Sequence, residues 1–249
     1  MFNNRSNKKG TVFGCFSPEV MIATFMIEFA LAGYVLWRYK LQTWSKLVVA
    51  LLICLGVFQF AEYQICGDIN HITYARIGYI AITLLPALGS SLIHSIGGKS
   101  LRSPINIAAW VAAAYFVIAY AFSPIGQGLT PVCAGNYVIF NLDFKYAGYL
   151  YYTLYYFGLL IIGITQAYMW SNETKSNSDN ALRWMIIGYL VFTVPVFVIN
   201  IVLPTTIDAI PSIMCGFAVI FALILGFKIS PLVGEEKIAI EDLASKKQE

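Results

Sequence analysis

Seven apolar runs of 18–25 residues dominate this chain: Pro18–Trp37, Leu47–Cys66, Ile77–Ile96, Ile105–Phe122, Tyr146–Trp170, Trp184–Leu203 and Ile207–Lys228. Crossing the hydrocarbon core of a bilayer takes about 20 mostly apolar residues in a helix. Barrel strands alternate over about ten residues, whereas these runs are apolar all round. Charge is correspondingly scarce, at 12% of the 249 residues against 59% hydrophobic. A soluble domain carries about 25% charged residues, and a disordered chain needs high charge and low hydrophobicity. Both are excluded. The net charge of +3 is too small and too scattered for a nucleic-acid partner. The expected architecture is an all-α polytopic membrane protein embedded in the lipid bilayer. It comprises an N-terminal extramembrane segment (1–17), a seven-transmembrane helix bundle (18–230) and a short charged tail (231–249).

The basic residues predict its orientation. The loops after the first, third and fifth runs share a side with the C-terminus, and that side holds eleven of the sixteen Lys and Arg residues. By the positive-inside rule it is the cytoplasmic side, which places the N-terminus outside. Ser17-Pro18 and Ser103-Pro104 each read as an N-cap serine followed by proline at the first helical position. Residues 1–17 do not read as a cleavable signal, because the run that follows is too long and has Glu28 at its centre. The longest outer loop, about Ser123–Lys145, reads as turns around Pro124, Gly126, Gly128, Pro131 and Gly135. Of five cysteines, Cys54 and Cys215 fall inside runs, while Cys15, Cys66 and Cys133 fall on the outer, oxidising side. A Cys66–Cys133 bridge would tie the long loop over the bundle mouth; free thiols are the alternative. No zinc-type Cys/His spacing occurs, so no metal site is expected.

Ionisable groups at membrane depth cost on the order of 2.5–3.5 kcal/mol on insertion scales, so each needs a reason. Glu28 lies near the centre of the first run, with Thr24 and Ala32 on the same face. It reads either as a proton, cation or ligand-amine site or as a neutral interhelical hydrogen bond. Glu62 lies in the outer turns of the second run. Arg76, at the outer start of the third, is the expected partner pinning the two helices, with a ligand carboxylate at the mouth as the other reading. The third run continues a polar stripe through Tyr79, Thr83, Ser90 and His94. His94 is expected to cap carbonyls or meet headgroups, and His71 falls in an outer loop. In the fifth run Tyr152 and Tyr156 share one face and Tyr151 and Tyr155 another. One pair turned inward would border a cationic or aromatic ligand; an interfacial belt with packing is the alternative. Pro86, Pro195 and Pro211 bend their helices. No lysine sits at the centre of the seventh run for a retinal Schiff base, and no catalytic set, cofactor motif or metal cluster emerges. A non-enzyme is expected.

Three segments carry a resemblance. They are Ala75-Arg76-Ile77-Gly78-Tyr79-Ile80-Ala81 with Leu84-Leu85-Pro86-Ala87-Leu88 and Gly97-Gly98-Lys99, then Leu150-Tyr151-Tyr152 with Tyr155-Tyr156, and Ile210-Pro211-Ser212. In this order they resemble the N-terminal seven-helix sensor region of some bacterial histidine kinases and related signalling proteins, over roughly residues 18–232. The resemblance implies a sensor in the cell membrane of a bacterium, whose last helix passes a conformational signal inward. It supplies no ligand residues. The chain departs from the pattern by carrying no output domain, so the expected function is a stand-alone sensor or receptor-like protein. It would signal through a separate cytoplasmic partner docking on Gly234–Glu249. Glu28, Glu62, Arg76, Tyr79, Tyr152 and Tyr156 are its candidate ligand residues. A small solute or proton-coupled transporter using Glu28 is the rival.

Overall fold

The computed structural model describes residues 18–39, 41–67, 71–121, 129–133, 138–142, 148–173, 176–202 and 210–236. Among them the chain forms α1 (Pro18–Arg38), α2 (Thr43–Cys66), α3 (His71–Ile96), α4 (Pro104–Ala121), β1 (Leu129–Cys133), β2 (Val138–Leu142), α5 (Gly148–Trp170), α6 (Asn177–Val202) and α7 (Ile210–Ile224). A π-helical turn, Leu225–Ile229, follows α7 directly, and helix then continues through residues 230–236. Six of the helices are long and apolar enough to cross a membrane; α4 is the shorter apolar one. Large side chains such as Val111, Ile161 and Ile201 are exposed on the outside of the bundle, as an integral membrane protein of the helical type requires.

The helices overrun the apolar runs. α2 begins at Thr43 rather than Leu47, α3 at His71 rather than Ile77, and α6 at Asn177 rather than Trp184. Hydropathy marks where lipid is tolerated, while the helix continues as long as its backbone bonds can form. His71 is thus the first residue of α3 and not part of a loop, and Arg76 stands in the helix's second turn. At the other end, helix runs past Pro231 to residue 236, so the expected tail begins inside a helix. The fold is helical as expected, but the loop between α4 and α5, expected as turns, also holds a short hairpin. β1 and β2 pair antiparallel from Leu129–Leu142 to Cys133–Val138. Val132, Cys133, Val138, Ile139 and Phe140 are good strand formers around Ala134-Gly135-Asn136-Tyr137. The turn residues of this loop were legible, but the strands between them were not.

Consecutive helices pack side by side, α3 also touches α5 and α6, and α7 closes back on α1 and α2. The hairpin packs on α2, α3 and α7. At the opposite end, called here the Arg38 end, His94 locks α3 to the start of α4. Its Nδ1 lies 2.9 Å from the Ser90 carbonyl and its Nε2 2.7 Å from Ser103 Oγ. A carbonyl only accepts, so Nδ1 carries the hydrogen, and in the neutral ring Nε2 accepts from the serine. Ser103 Oγ in turn accepts from the Asn106 N–H at 3.3 Å, the N-cap bond expected of Ser103-Pro104. Trp170 stands edge-on to the imidazole. His94 is therefore buried inside protein and does not meet headgroups.

Close packing makes the glycines unequal. A Cβ at Gly188 on α6 would run into the buried Phe221 ring on α7, whereas one at Gly33 on α1 would meet nothing within 4 Å. Gly188→Ala is expected to cost about 1–3 kcal/mol by overpacking. Gly33→Ala should gain up to about 1 kcal/mol from helix propensity. Thermal unfolding of the two variants in the same detergent would check the opposite signs.

Candidate functional site

α1 and α2 bring the two intramembrane acids into the same part of the bundle. Glu28 is fully buried, and neither of its carboxyl oxygens has a hydrogen-bond partner among the described residues. Its Oε2 would lie 3.6 Å from a Cβ at Gly56, so the carboxyl is seated over a glycine of α2. Glu62, 1% exposed, is within electrostatic range of Glu28. Both acids also reach the Cys215 thiol of α7 electrostatically. Cys215, read from the sequence as packing, thus joins the acid pair to the last helix. Nothing in its neighbours along the chain marks it for that place.

The tyrosines are inward but already employed. Tyr79 on α3 and Tyr152, Tyr155 and Tyr156 on α5 are buried, while Tyr151 is 62% exposed. The inward face therefore joins Tyr152 and Tyr156 with Tyr155, a combination neither expected pair described. Thr83 donates to the Tyr79 carbonyl at 2.6 Å, so Tyr152 donates its hydroxyl to Thr83 Oγ1 at 3.2 Å. Tyr155 donates to the Thr83 carbonyl at 2.6 Å, within the turn that Pro86 disturbs. The rings of Tyr79 and Phe116 pack on Tyr152 with centroids 5.1 and 5.3 Å away. Tyr152 and Tyr155 fasten α5 to the Pro86 turn of α3, and the tyrosines do not form an open aromatic box. Arg76 is half-buried on α3, the helix packed against that of Glu62.

Beyond Cys215, between α2, α3, α5, α6 and α7, lies a cavity bordered by Pro86, Tyr156, Tyr189 and Met214. Its free volume of about 20 Å³ accommodates roughly one water. Cys66, closing α2, is disulfide-bonded, and Cys54 and Cys215 are free thiols. Cys15 and the side chain of Cys133 lie outside the described residues.

From the acid pair, two helices run together to the Arg38 end. Leu31, one turn below Glu28 on α1, packs on Gly226 of the π-turn: a Cβ there would lie 2.8 Å from Leu31 Cδ2. Eight residues further on both helices, a Cβ at Gly234 would lie 2.6 Å from the Tyr39 ring. The equal spacing makes α1 and α7 parallel neighbours, with glycines allowing close approach. Burial, and then the adjoining Tyr34 phenol, push the Tyr39 hydroxyl up to about 12, so it stays neutral at this junction. Two residues beyond Gly234, Glu236 Oε2 accepts from the Ser178 N–H at 2.6 Å and from Ser178 Oγ at 2.7 Å. The carboxylate thereby satisfies an N–H in the first turn of α6, favoured by the helix dipole. Residues 234 and 236, expected to be free for a partner, are held by the bundle; 237–249 lie outside the described residues. No protein-family model matches the chain and no curated protein matches it significantly, so its functional reading rests on this geometry.

Proposed function

We propose that this integral membrane protein is a seven-helix sensor of a bacterial cell membrane, with its N-terminus outside and its C-terminus in the cytoplasm. One observation carries the reading: a single helical segment runs from near the buried acids to the junction with α6 at the Arg38 end. α7 carries Cys215 within electrostatic range of Glu28 and Glu62, rests on Leu31 through its π-turn, and leads into helix that ends bonded to the start of α6. A π-turn holds one more residue than the α-helix it interrupts, and such turns recur at functional positions. Change at the acids has a direct mechanical route to the α6–α7 junction, which a cytoplasmic partner would read.

Two features support seven spans. The start of α4 is bonded to the end of α3 through Ser103 and His94, and Lys99 beside it pairs with Glu173 at the end of α5, 2.9 Å apart. α4 therefore leaves from the end at which α5 arrives. Its 18 residues span about 27 Å, close to the roughly 30 Å of a bilayer core. The Arg38 end also collects Lys46, Lys99, Arg102, Arg183 and Lys228, which supports its assignment to the cytoplasm.

The sensor reading is tested without knowing the stimulus. Gly226→Leu forces Leu31 off the π-turn and is expected to shift the distance between spin labels at positions 180 and 235 in reconstituted protein. An unchanged distance sinks the relay. Glu28, an acid without a hydrogen-bond partner at membrane depth, is also what a proton-coupled carrier uses. Net solute uptake by wild-type vesicles would establish that reading instead.

A further inference from the structure

The surroundings of Glu28 narrow what it binds. α1 packs against α2, α7 and the π-turn. The titratable groups these present to Glu28 are Glu62 from α2 and the Cys215 thiol from α7, both acids. Lys228, in the π-turn, is exposed and lies over the Trp184 ring on α6. Among the described residues, a carboxylate at this place has no hydrogen-bond donor, no cation from these elements and a second acid nearby. Burying such a charge is among the most costly arrangements a fold can hold.

Three kinds of ligand would relieve it, and two fit poorly. A hard metal ion takes six or more oxygens, and among the described residues no three His, Cys, Asp or Glu side chains are grouped to hold one. An organic cation needs room beside the carboxyl, and Glu28 is fully buried and seated over Gly56. A proton needs neither. We propose that Glu28 is a proton-binding site, and that its proton is the ligand the bundle responds to. Uptake takes a proton from hydronium to a Glu28 carboxyl oxygen, leaving water and a neutral acid that the apolar bundle can enclose. Release returns the proton to water and leaves a carboxylate that must be hydrated. Water then has to enter between α1, α2 and α7, one turn above the Leu31–Gly226 contact. The consequence at α7 rests on the sensor reading, whereas the proton site does not.

Infrared difference spectra of the protein in lipid vesicles, titrated from mildly acid to alkaline, test the site. The expected result is a carboxylic C=O band that vanishes on alkalinisation, shifts in heavy water, is lost in Glu28→Gln and persists in Glu62→Gln. No titrating carboxyl band in the wild type, or one that survives Glu28→Gln, overturns the proposal. Should Glu28→Gln fail to fold, Glu28→Asp must move the band, and an unmoved band overturns it equally. The same titration read through the spin labels at 180 and 235 reports on the relay. A titrating band with a fixed label distance supports the proton site while sinking the sensor.

Discussion

Phe58→Ala is expected to cost about 2–4 kcal/mol and to be among the most destabilising single truncations in the bundle. Phe58 is fully buried on α2. Its ring lies against the backbone of α3, where a Cβ at Gly78 would stand 3.4 Å from Cδ2 and 3.2 Å from the Ala61 Cβ. α2 and α3 form the most extensive helix pair, and glycine at 78 lets the ring in. Phe→Ala in soluble cores costs about 3–5 kcal/mol, of which part is transfer from water and part is the cavity left behind. Lipid is as apolar as the core, so in a membrane the transfer part shrinks and the packing part remains. Leu150→Ala, at a side chain 64% exposed, is the control and should cost less than about 0.5 kcal/mol. Equilibrium unfolding in mixed micelles would check the contrast. A loss at Phe58 no larger than the control would mean that helix pairing here does not depend on the ring.

Loss of the disulfide at Cys66 ranks second. With Cys54 and Cys215 free, the partner is Cys15 or Cys133. β1 ends at Cys133 and packs against α2, which ends at Cys66, so we propose Cys133. A bridge from 66 to 133 closes a loop worth about 4 kcal/mol in the chain-entropy limit. The bilayer already restrains the unfolded chain, so about 2–3 kcal/mol is the expected loss for Cys66→Ser. Cys133→Ser should match it within error while Cys15→Ser leaves stability unchanged, all measured by unfolding with and without reductant. Equal effects of Cys66→Ser and Cys15→Ser would assign the bridge to the N-terminal segment.

Element type was largely legible because lipid imposes one demand over each run. The hairpin escaped because it stands outside that demand, where short strands compete with turns on nearly equal terms. The helix starts at Thr43, His71 and Asn177 escaped for a related reason: polar residues in a terminal turn say nothing to a hydropathy reading. Ser103-Pro104, by contrast, was read correctly, since an N-cap is a local bond between residues three apart.

The candidate site divides along the same line. Glu28 and Glu62 stand out in any reading, because a carboxyl in an apolar run has few innocent explanations. Their joint proximity to Cys215, the seating of Glu28 over Gly56, and the Leu31–Gly226 and Tyr39–Gly234 contacts join residues from opposite ends of the chain. Tyr155 was assigned to the wrong partner for a similar reason. Helical spacing says which tyrosines share a face, but the Thr83 carbonyl of α3, three residues before Pro86, is what Tyr155 bonds on the inside.

By itself, then, the sequence determined the solvent: its apolar runs and sparse charge commit the chain to helices in lipid and single out two acids that lipid should not tolerate. The tertiary structure alone decided what those acids face. Hydrophobicity adds up residue by residue along a chain, but a carboxyl's surroundings are set by whichever helices pack around it. Here they are α2 and α7, whose described residues bring a second acid and a thiol, and no base, to Glu28.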